Sequence, residues 1–498
     1  MNTITDDAQV LPAGGGAAPE RGTARSWAGF GALLAVLLAS GVSIFLPLPN
    51  EAVGVAAIVA MISLILLRLP VAVAMLIPSL AGMYAMRDER VVESTLASLP
   101  YEEVANWSLS VLPLFVLMGL LLWKSGLTED LYSAGRKWLG WLPGGLAVGT
   151  NVAGAGLAAV SGSSAGTAYA LGRIGVPEML KAGYDKRLAV GAVLVAGLPG
   201  QLIPPSILLV LYAGIAEVPV GQQLIAGVGP GVLVSVLFTI MLVGFATFGQ
   251  GLAGTESSGG TATTATWRER FMSLVRSWPV PVIMLVIVVG MFSGVFTATE
   301  AGAVAAVCSF GVLLLWKRAG GAWRATVEAS VAAVSTIGTI FLLLIGVAAL
   351  SKMMTLTGIS DGFAEFVAGM DLSRVEFLLL MTIVYLFLGA FMDPLPMMVL
   401  TVPILLPTLE ALDVSLLWYG VFAVFLGELA VITPPVGILA MIVHNIVKDP
   451  QVHLGEPISL KDVFVAAAWF LPMAIVVVLV LIFFPEIATF LPAQGGGE

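Results

Sequence analysis

Long apolar runs follow one another along this chain, separated by short polar joints, and predict a bundle of buried helices. The runs fall near 27–49, 52–67, 69–86, 109–124, 187–217 and 220–247, then near 278–296, 298–316, 329–350, 417–447 and 463–490. Read as helices against about 30 Å of hydrocarbon, they are membrane spans. Two further apolar stretches, 144–180 and 375–410, are interrupted at their middles by "SGSSAG" and "MDPLP". Both read as re-entrant hairpins, which enter and leave on one side and add no crossing. Residues 1–26 are polar and rich in Gly and Ala and read as a disordered tail. The segment 27–51 reads as an extra N-terminal transmembrane helix, and 492–498 as a short tail.

Composition sets the class. With 59% hydrophobic residues, 11% charged ones and a mean hydropathy of +1.02, the chain reads as an all-α polytopic membrane protein, because a soluble fold would expose too much apolar surface. The net charge of -9 gives no reason to expect nucleic acid. Cys308 is the lone cysteine and sits in an apolar run, so it is expected to serve packing. His444 and His453 lack the spacing of a metal motif and read as structural. Placing the N-terminus inside leaves Arg87, Arg90, Lys352 and Arg374 in outside loops. The remaining basic residues, 22 − 4 = 18, fall inside, as the positive-inside rule requires. The C-terminus then lies outside. Had either hairpin been a crossing, the basic clusters after it would fall on the wrong side. The Gly, Ser and Thr-rich stretch at 250–266 reads as a flexible cytoplasmic linker within 251–277, dividing the chain into halves at 52–250 and 278–491.

The halves repeat. "LIPPSIL" at 202–208 has a counterpart in "ITPPVGI" at 432–438, so Pro204 and Pro205 map onto Pro434 and Pro435, an offset of 434 − 204 = 230. The same offset carries Ser163 onto Asp393, Pro177 onto Pro407, and "PVAVAM" from Pro70 onto "EAGAVA" from Glu300. Each half holds five crossings and one hairpin, so the second copy enters from the opposite side. Such inverted repeats with paired broken helices, here 187–217 and 417–447, point to a secondary transporter whose site lies near the membrane midplane.

The chemistry follows from the breaks. A proline removes an N–H donor and clashes with the carbonyl one turn back, so each Pro-Pro pair frees carbonyls that must find protein, water or an ion. Gly197, Gly200 and Gly437 let the backbone approach such an ion closely, and the first tip, Ser161, Gly162, Ser163 and Ser164, offers hydroxyls and carbonyls. Asp393 before Pro394 fits a helix N-cap and, as an ionisable residue at membrane depth, an ion ligand; the two roles are compatible. Glu428 is expected to contact backbone rather than substrate, and Glu300 to be a structural cap.

In order along the chain, "SGSSAGTAYALGRIGVPEMLKAGYDKR", "LIPPSILLVLYAG", "TATEAGAVAA", "GAFMDPLPMMVLTVPILLPTLEALDV" and "GELAVITPPVG" resemble the large membrane subunit of the tripartite ATP-independent periplasmic (TRAP) transporters, over roughly 52–491. The resemblance implies an elevator-type ion-transporter fold in a bacterial inner membrane. It also implies Na⁺ coupling, a small four-helix membrane subunit, and a periplasmic binding protein that delivers an organic-acid substrate. Carried onto this chain, Ser161, Gly162, Ser163 and Ser164 with the first break (Gly200, Pro204) form one sodium site. Asp393 with the second break (Thr433, Pro434, Gly437) forms the other, and Ser163 and Ser206 donate to the substrate. The chain departs from the pattern in its span at 27–49, too short for a fused small subunit, and in its tip "SSAGT", which lacks the expected acidic residue.

Competing readings are a Na⁺/dicarboxylate symporter that needs no binding protein, a channel, and an intramembrane serine protease with Ser163 or Ser164 as nucleophile and His444 as base. The tips fit the first poorly, and hairpins block a pore more readily than they line one. A serine protease needs its imidazole beside the hydroxyl, whereas His444 lies at the cytoplasmic end of its span.

Overall fold

Apolar sequence folds here as helix almost throughout despite 56 Gly and 28 Pro, because helix satisfies the backbone donors and acceptors within the segment. A computed structural model describes residues 24–249, 251–254, 265–317, 321–434 and 437–495, with no strand among them beyond one bridge between Tyr184 and Ala253. Residues 1–23 and 255–264, much of the expected tail and linker, lie outside the described residues, as does Pro435.

The first half begins with α1 (Ala24–Ile44), α2 (Asn50–Leu66), α3 (Val71–Met86) and α4 (Glu89–Val104). It continues through α5 (Val111–Ser125), α6 (Leu127–Leu139), α7 (Gly145–Ser161) and α8 (Ser164–Lys181). The broken helix is α9 (Lys186–Ala196) and α10 (Ile207–Ile215), and α11 (Val220–Phe248) closes the half. The second half holds α12 (Trp267–Ser277), α13 (Pro279–Phe292), α14 (Ala298–Trp316), α15 (Ala322–Thr357) and α16 (Ile359–Gly369). Then come α17 (Arg374–Gly389), α18 (Pro394–Ala411), the broken pair α19 (Leu416–Ala430) and α20 (Ile438–Ile446), α21 (Pro450–His453), α22 (Leu460–Phe483) and α23 (Glu486–Gln494).

The helix bounds keep the offset found in the sequence. Both ends of α8 and α18 differ by 230 (394 − 164, 411 − 181), as do the starts of α9 and α19 (416 − 186) and the ends of α6 and α16 (369 − 139). The 36-residue α15 packs on α3 and α5, and the apolar run at 329–350 marks only its central part.

Several expectations change. The sequence reading counts eleven crossings, whereas among the described residues six helices are individually long and apolar enough to span. A seventh results if α12 and α13, bent by 56°, count as one. The two differ because α2 and α3 are shorter than a full span, each arm of the broken helices is shorter still, and α18, one of the six, lies in the second hairpin and not in a counted crossing. The run at 463–490 is two helices, parted at Phe484 and Pro485. The part of the linker after Thr266 is helix α12, begun by a capping box between Thr266 and Glu269. Cys308 is exposed on α14 rather than packed in the core. Glu300 does form a capping box with Thr297 at the start of α14. His453 accepts the Gly455 amide on its Nδ1 at 3.1 Å.

The bundle is held by close helix approach and a few charged nodes. Gly191 on α9 lies so near Phe470 of α22 that a β-carbon would meet its ring at 2.4 Å. At the same junction Asp462, on the first turn of α22, accepts from Ser459 N at 3.0 Å, Lys186 Nζ at 3.0 Å and Arg187 Nε at 3.1 Å. One carboxylate therefore caps its own helix and ties it to the start of the first broken helix. Replacing Asp462 with Ala removes the cap and both charge-assisted bonds, so a loss of about 1–3 kcal/mol is expected. Thermal unfolding of the detergent-solubilised protein checks this, and Ser459→Ala, which spares the ion pairs, should lose less.

Candidate functional site

The first tip forms where α7 cannot continue. Gly162 ends it at a φ of +61°, and a β-carbon there would strike Ile207 Cδ1 at 2.5 Å, so both conformation and space demand glycine. Ser163 then takes the extended N-cap position of α8, its Oγ accepting from Gly166 N at 3.1 Å. Ser161 Oγ makes only long contacts of 3.4 Å, with Ser163 O, Thr167 Oγ1 and the Ser163 N–H it accepts from.

Two residues from outside the tip complete its hydrogen bonding. Gln201, on the 3₁₀ turn Pro199–Gln201 inside the first break, is 1% exposed. With its amide oriented to pair oxygen with donors, it accepts from Ser163 N and Ser164 N, each at 3.0 Å. It thereby satisfies amides at the start of α8 that have no partner within the helix. Glu428, on the last full turn of α19 before the second break, is 4% exposed, and its Oε2 accepts the hydroxyl of Ser164. The expectation that Glu428 touches backbone is thus corrected: α19 ends against the first tip, so the carboxylate reaches a side chain of the other half.

The second tip is built differently. Pro394 occupies the first position of α18 and Asp393 the N-cap, as expected, but the Asp393 side chain makes no capping bond, leaving its carboxylate exposed at the tip. Glycines let this tip press onto α19: a β-carbon on Gly389 would meet Ala430 Cβ at 2.3 Å, and one on Gly427 would meet Pro394 Cβ at 2.9 Å.

Both tips border a cavity of about 1030 Å³ whose far wall is α5 and α15, with Ser335, Thr336 and Thr339 among its lining. Ser161, Gly162, Ser163, Ser164, Gln201, Asp393 and Glu428 all line it. The N-termini of α8, α10 and α18 border it through Ser164, Ile207 and Pro394. Asp393 and Glu428 are its charged lining residues among those described; no Lys, Arg or His lines it.

The other sequence-predicted residues lie outside that lining. Ser206 is fully buried as the N-cap of α10, accepting from Leu209 N at 3.2 Å. Gly200 and Pro204 are buried behind the tip. Thr433 bonds back to Leu429 O at 2.8 Å, Pro434 is exposed, and Gly437 is buried with a φ of +52°. Half-buried His444 does not line the cavity either, so no imidazole faces the tip serines. Gln201 escaped the sequence reading because its counterpart at the repeat offset is apolar: Gln201 maps onto Val431, just as Glu428 maps back onto Leu198.

A helical membrane protein whose cavity lies between two paired tips and two broken helices has the construction of a permease. Residues 58–487 match the family described as tripartite ATP-independent periplasmic transporter, DctM component, and the chain belongs to that family. It is a multi-pass membrane transporter subunit and not an enzyme. The chain is 31% identical to the C4-dicarboxylate TRAP transporter large permease protein DctM of Pseudomonas aeruginosa, over 80% of this chain and 89% of that protein. It is 27% identical to the ectoine TRAP transporter large permease protein TeaC of Halomonas elongata, over 87% and 97%. It is also 27% identical to the sialic acid TRAP transporter permease protein SiaT of Haemophilus influenzae, over 91% and 70%. Among solved structures, the Alcanivorax borkumensis YdaH transporter superposes with a TM-score of 0.57 at 13% identity, covering 82% of this chain and 90% of that one. Neisseria gonorrhoeae MtrF does so with 0.57 at 12%, covering 90% and 98%. At such identities the likeness is one of fold alone.

The close packing behind the tip is testable. A β-carbon on Gly200 would meet Ala155 O at 2.3 Å and Ala158 Cβ at 2.5 Å. Gly200→Ala should therefore destabilise by about 1–3 kcal/mol, whereas Gly311→Ala, with nothing within 4 Å, should not; melting curves of both variants compare them.

Proposed function

We propose that this permease imports a small organic acid, such as a dicarboxylate or sugar acid, coupled to Na⁺. A periplasmic binding protein delivers the substrate, and a small four-helix membrane subunit braces the permease. The N-terminus lies in the cytoplasm and the C-terminus in the periplasm of an inner membrane. The description of the family as tripartite and periplasmic supports the partners, and relatives named for C4-dicarboxylates, sialic acid, isethionate and ectoine support the substrate class.

One observation carries the coupling. A cavity whose ionisable lining is Asp393 and Glu428, with no basic side chain, offers an organic anion no side-chain countercharge, and the Asp393 carboxylate repels it. The N-termini of three helices offset part of that repulsion, each acting as a fractional positive charge. Cations at the tips offset the rest, so anion and cation enter together. In this reading the first tip (Ser161–Ser164) with the break at Gly200 and Pro204 holds one Na⁺. Asp393 with Thr433, Pro434 and Gly437 holds the other. Ser163 reaches the substrate, and Ser206, buried as a cap, positions α10 rather than donating directly. Movement is of the elevator kind: the tips and broken helices slide as a body against α5 and α15, which form the far wall with apolar side chains of α5 and the hydroxyls of Ser335, Thr336 and Thr339 on α15.

Asp393→Ala should raise the sodium concentration for half-maximal uptake about tenfold or more, the loss of one charged ligand, while the melting temperature stays near wild type. Sodium titration of uptake in proteoliposomes with the cognate binding protein checks this; an unchanged titration removes Asp393 as a ligand. Glu428→Gln keeps an acceptor for Ser164 and removes the ionisable group, so it should alter sodium dependence with less effect on folding than Glu428→Ala.

A further inference from the structure

Helix α12 has its amphipathic faces reversed for a helix packed on a protein. Its apolar stripe, Trp267, Phe271, Leu274 and Trp278 at helical spacing, faces outward, with Trp267 75% and Phe271 65% exposed, whereas Ser273 and Ser277 are buried against the protein. In water such a stripe is unfavourable, and it stays largely exposed among the described residues. The 56° bend at Trp278 and Pro279 turns α12 away from the axis of α13, whose apolar run continues the span. The polar edge is basic: Arg268 and Arg276 are exposed and form no ion pair among the described residues, while Glu269 is engaged in capping Thr266.

Apolar aromatics on one face with unpaired arginines beside them match the boundary between acyl chains and anionic headgroups. We propose that α12 is an interfacial helix. It lies in the plane of the bilayer surface, with its stripe in the acyl boundary and Arg268 and Arg276 on the phosphates of anionic lipids, whose geometry suits guanidinium.

The anchor is wired to the site. Trp138 of α6 donates from Nε1 to Arg270 O at 3.0 Å, its ring meets that of Trp267 edge-on at 6.4 Å, and the Arg270 guanidinium lies over Trp267 at 5.4 Å. In turn α6 packs tightly on α7, since a β-carbon on Gly135 would meet Gly149 O at 2.6 Å, and α7 ends at the first tip. Headgroup contact on α12 thus holds α6 at a fixed depth and restrains the base of the helix that carries the tip. The inference needs only the membrane setting and stands apart from the choice of ion or substrate.

Single cysteines at Phe271, Leu274 and Arg276, introduced with Cys308→Ser into the full chain, can carry nitroxide labels in vesicles of phosphatidylcholine with phosphatidylglycerol. Labels at 271 and 274 should collide more with oxygen than with a water-soluble relaxing agent, and the label at 276 should do the reverse. Equal access of the aqueous agent to all three would mean a solvated linker, and shielding of 271 and 274 from both agents would mean a protein partner; either overturns the proposal. In the Arg268→Gln, Arg276→Gln pair, phosphatidylglycerol retained through purification, read by mass spectrometry, should fall roughly ten- to thirty-fold with the melting temperature unchanged. Unchanged retention overturns the headgroup assignment.

Discussion

A backbone amide or carbonyl surrounded by apolar side chains must find a partner, and this requirement shapes the whole molecule. Most of the chain meets it within helices. Where two helices stop at tips and two break at mid-length, other groups take over: the hydroxyls of Ser163 and Ser206 cap α8 and α10, and the Gln201 amide receives the N–H groups of Ser163 and Ser164. The breaks are therefore built features with their own partners. The residues that supply those partners also bring the first tip, the first break and the second half together at one cavity.

The frame is a repeat, but the site is not symmetric. At the shared offset Ser163 meets Asp393, Ser164 meets Pro394, Gln201 meets Val431 and Leu198 meets Glu428. One tip is a capped, hydrogen-bonded loop held by side chains of both halves, and the other is a proline-started helix with a free carboxylate. Because the Ser164 hydroxyl bonds to Glu428, the first tip cannot leave its place without breaking a link to the second half. With Asp393 and Glu428 as its ionisable lining and no basic side chain among the described residues, the cavity supplies no side-chain countercharge for an anion.

Much of this was legible before any coordinates. Apolar runs gave the helices, and "SGSSAG" and "MDPLP" marked the places where α7 and α17 end and α8 and α18 begin. Less visible were α4, α6, α12 and α16. Their mixed polar and apolar positions keep them below the threshold of an apolar run, and only packing shows which face is covered. Cys308 sits in an apolar run yet faces outward, because apolar residues in a membrane pack as readily toward lipid as toward the core.

By itself the sequence determined the class of protein, the apolar helical segments, the offset between the halves and the positions of the tips and breaks. Each of these rests on local properties, apolar length and the backbone restrictions of proline and glycine. Tertiary structure alone decided which polar side chains meet. Ser164 and Glu428 lie 428 − 164 = 264 residues apart, at positions the repeat does not pair, and no local pattern encodes a contact across that distance. It decided too that Ser206 serves its own helix while Gln201 serves the tip. A hydroxyl or amide finds whichever buried donor the packing leaves unpaired beside it, and only the folded chain brings those donors within reach.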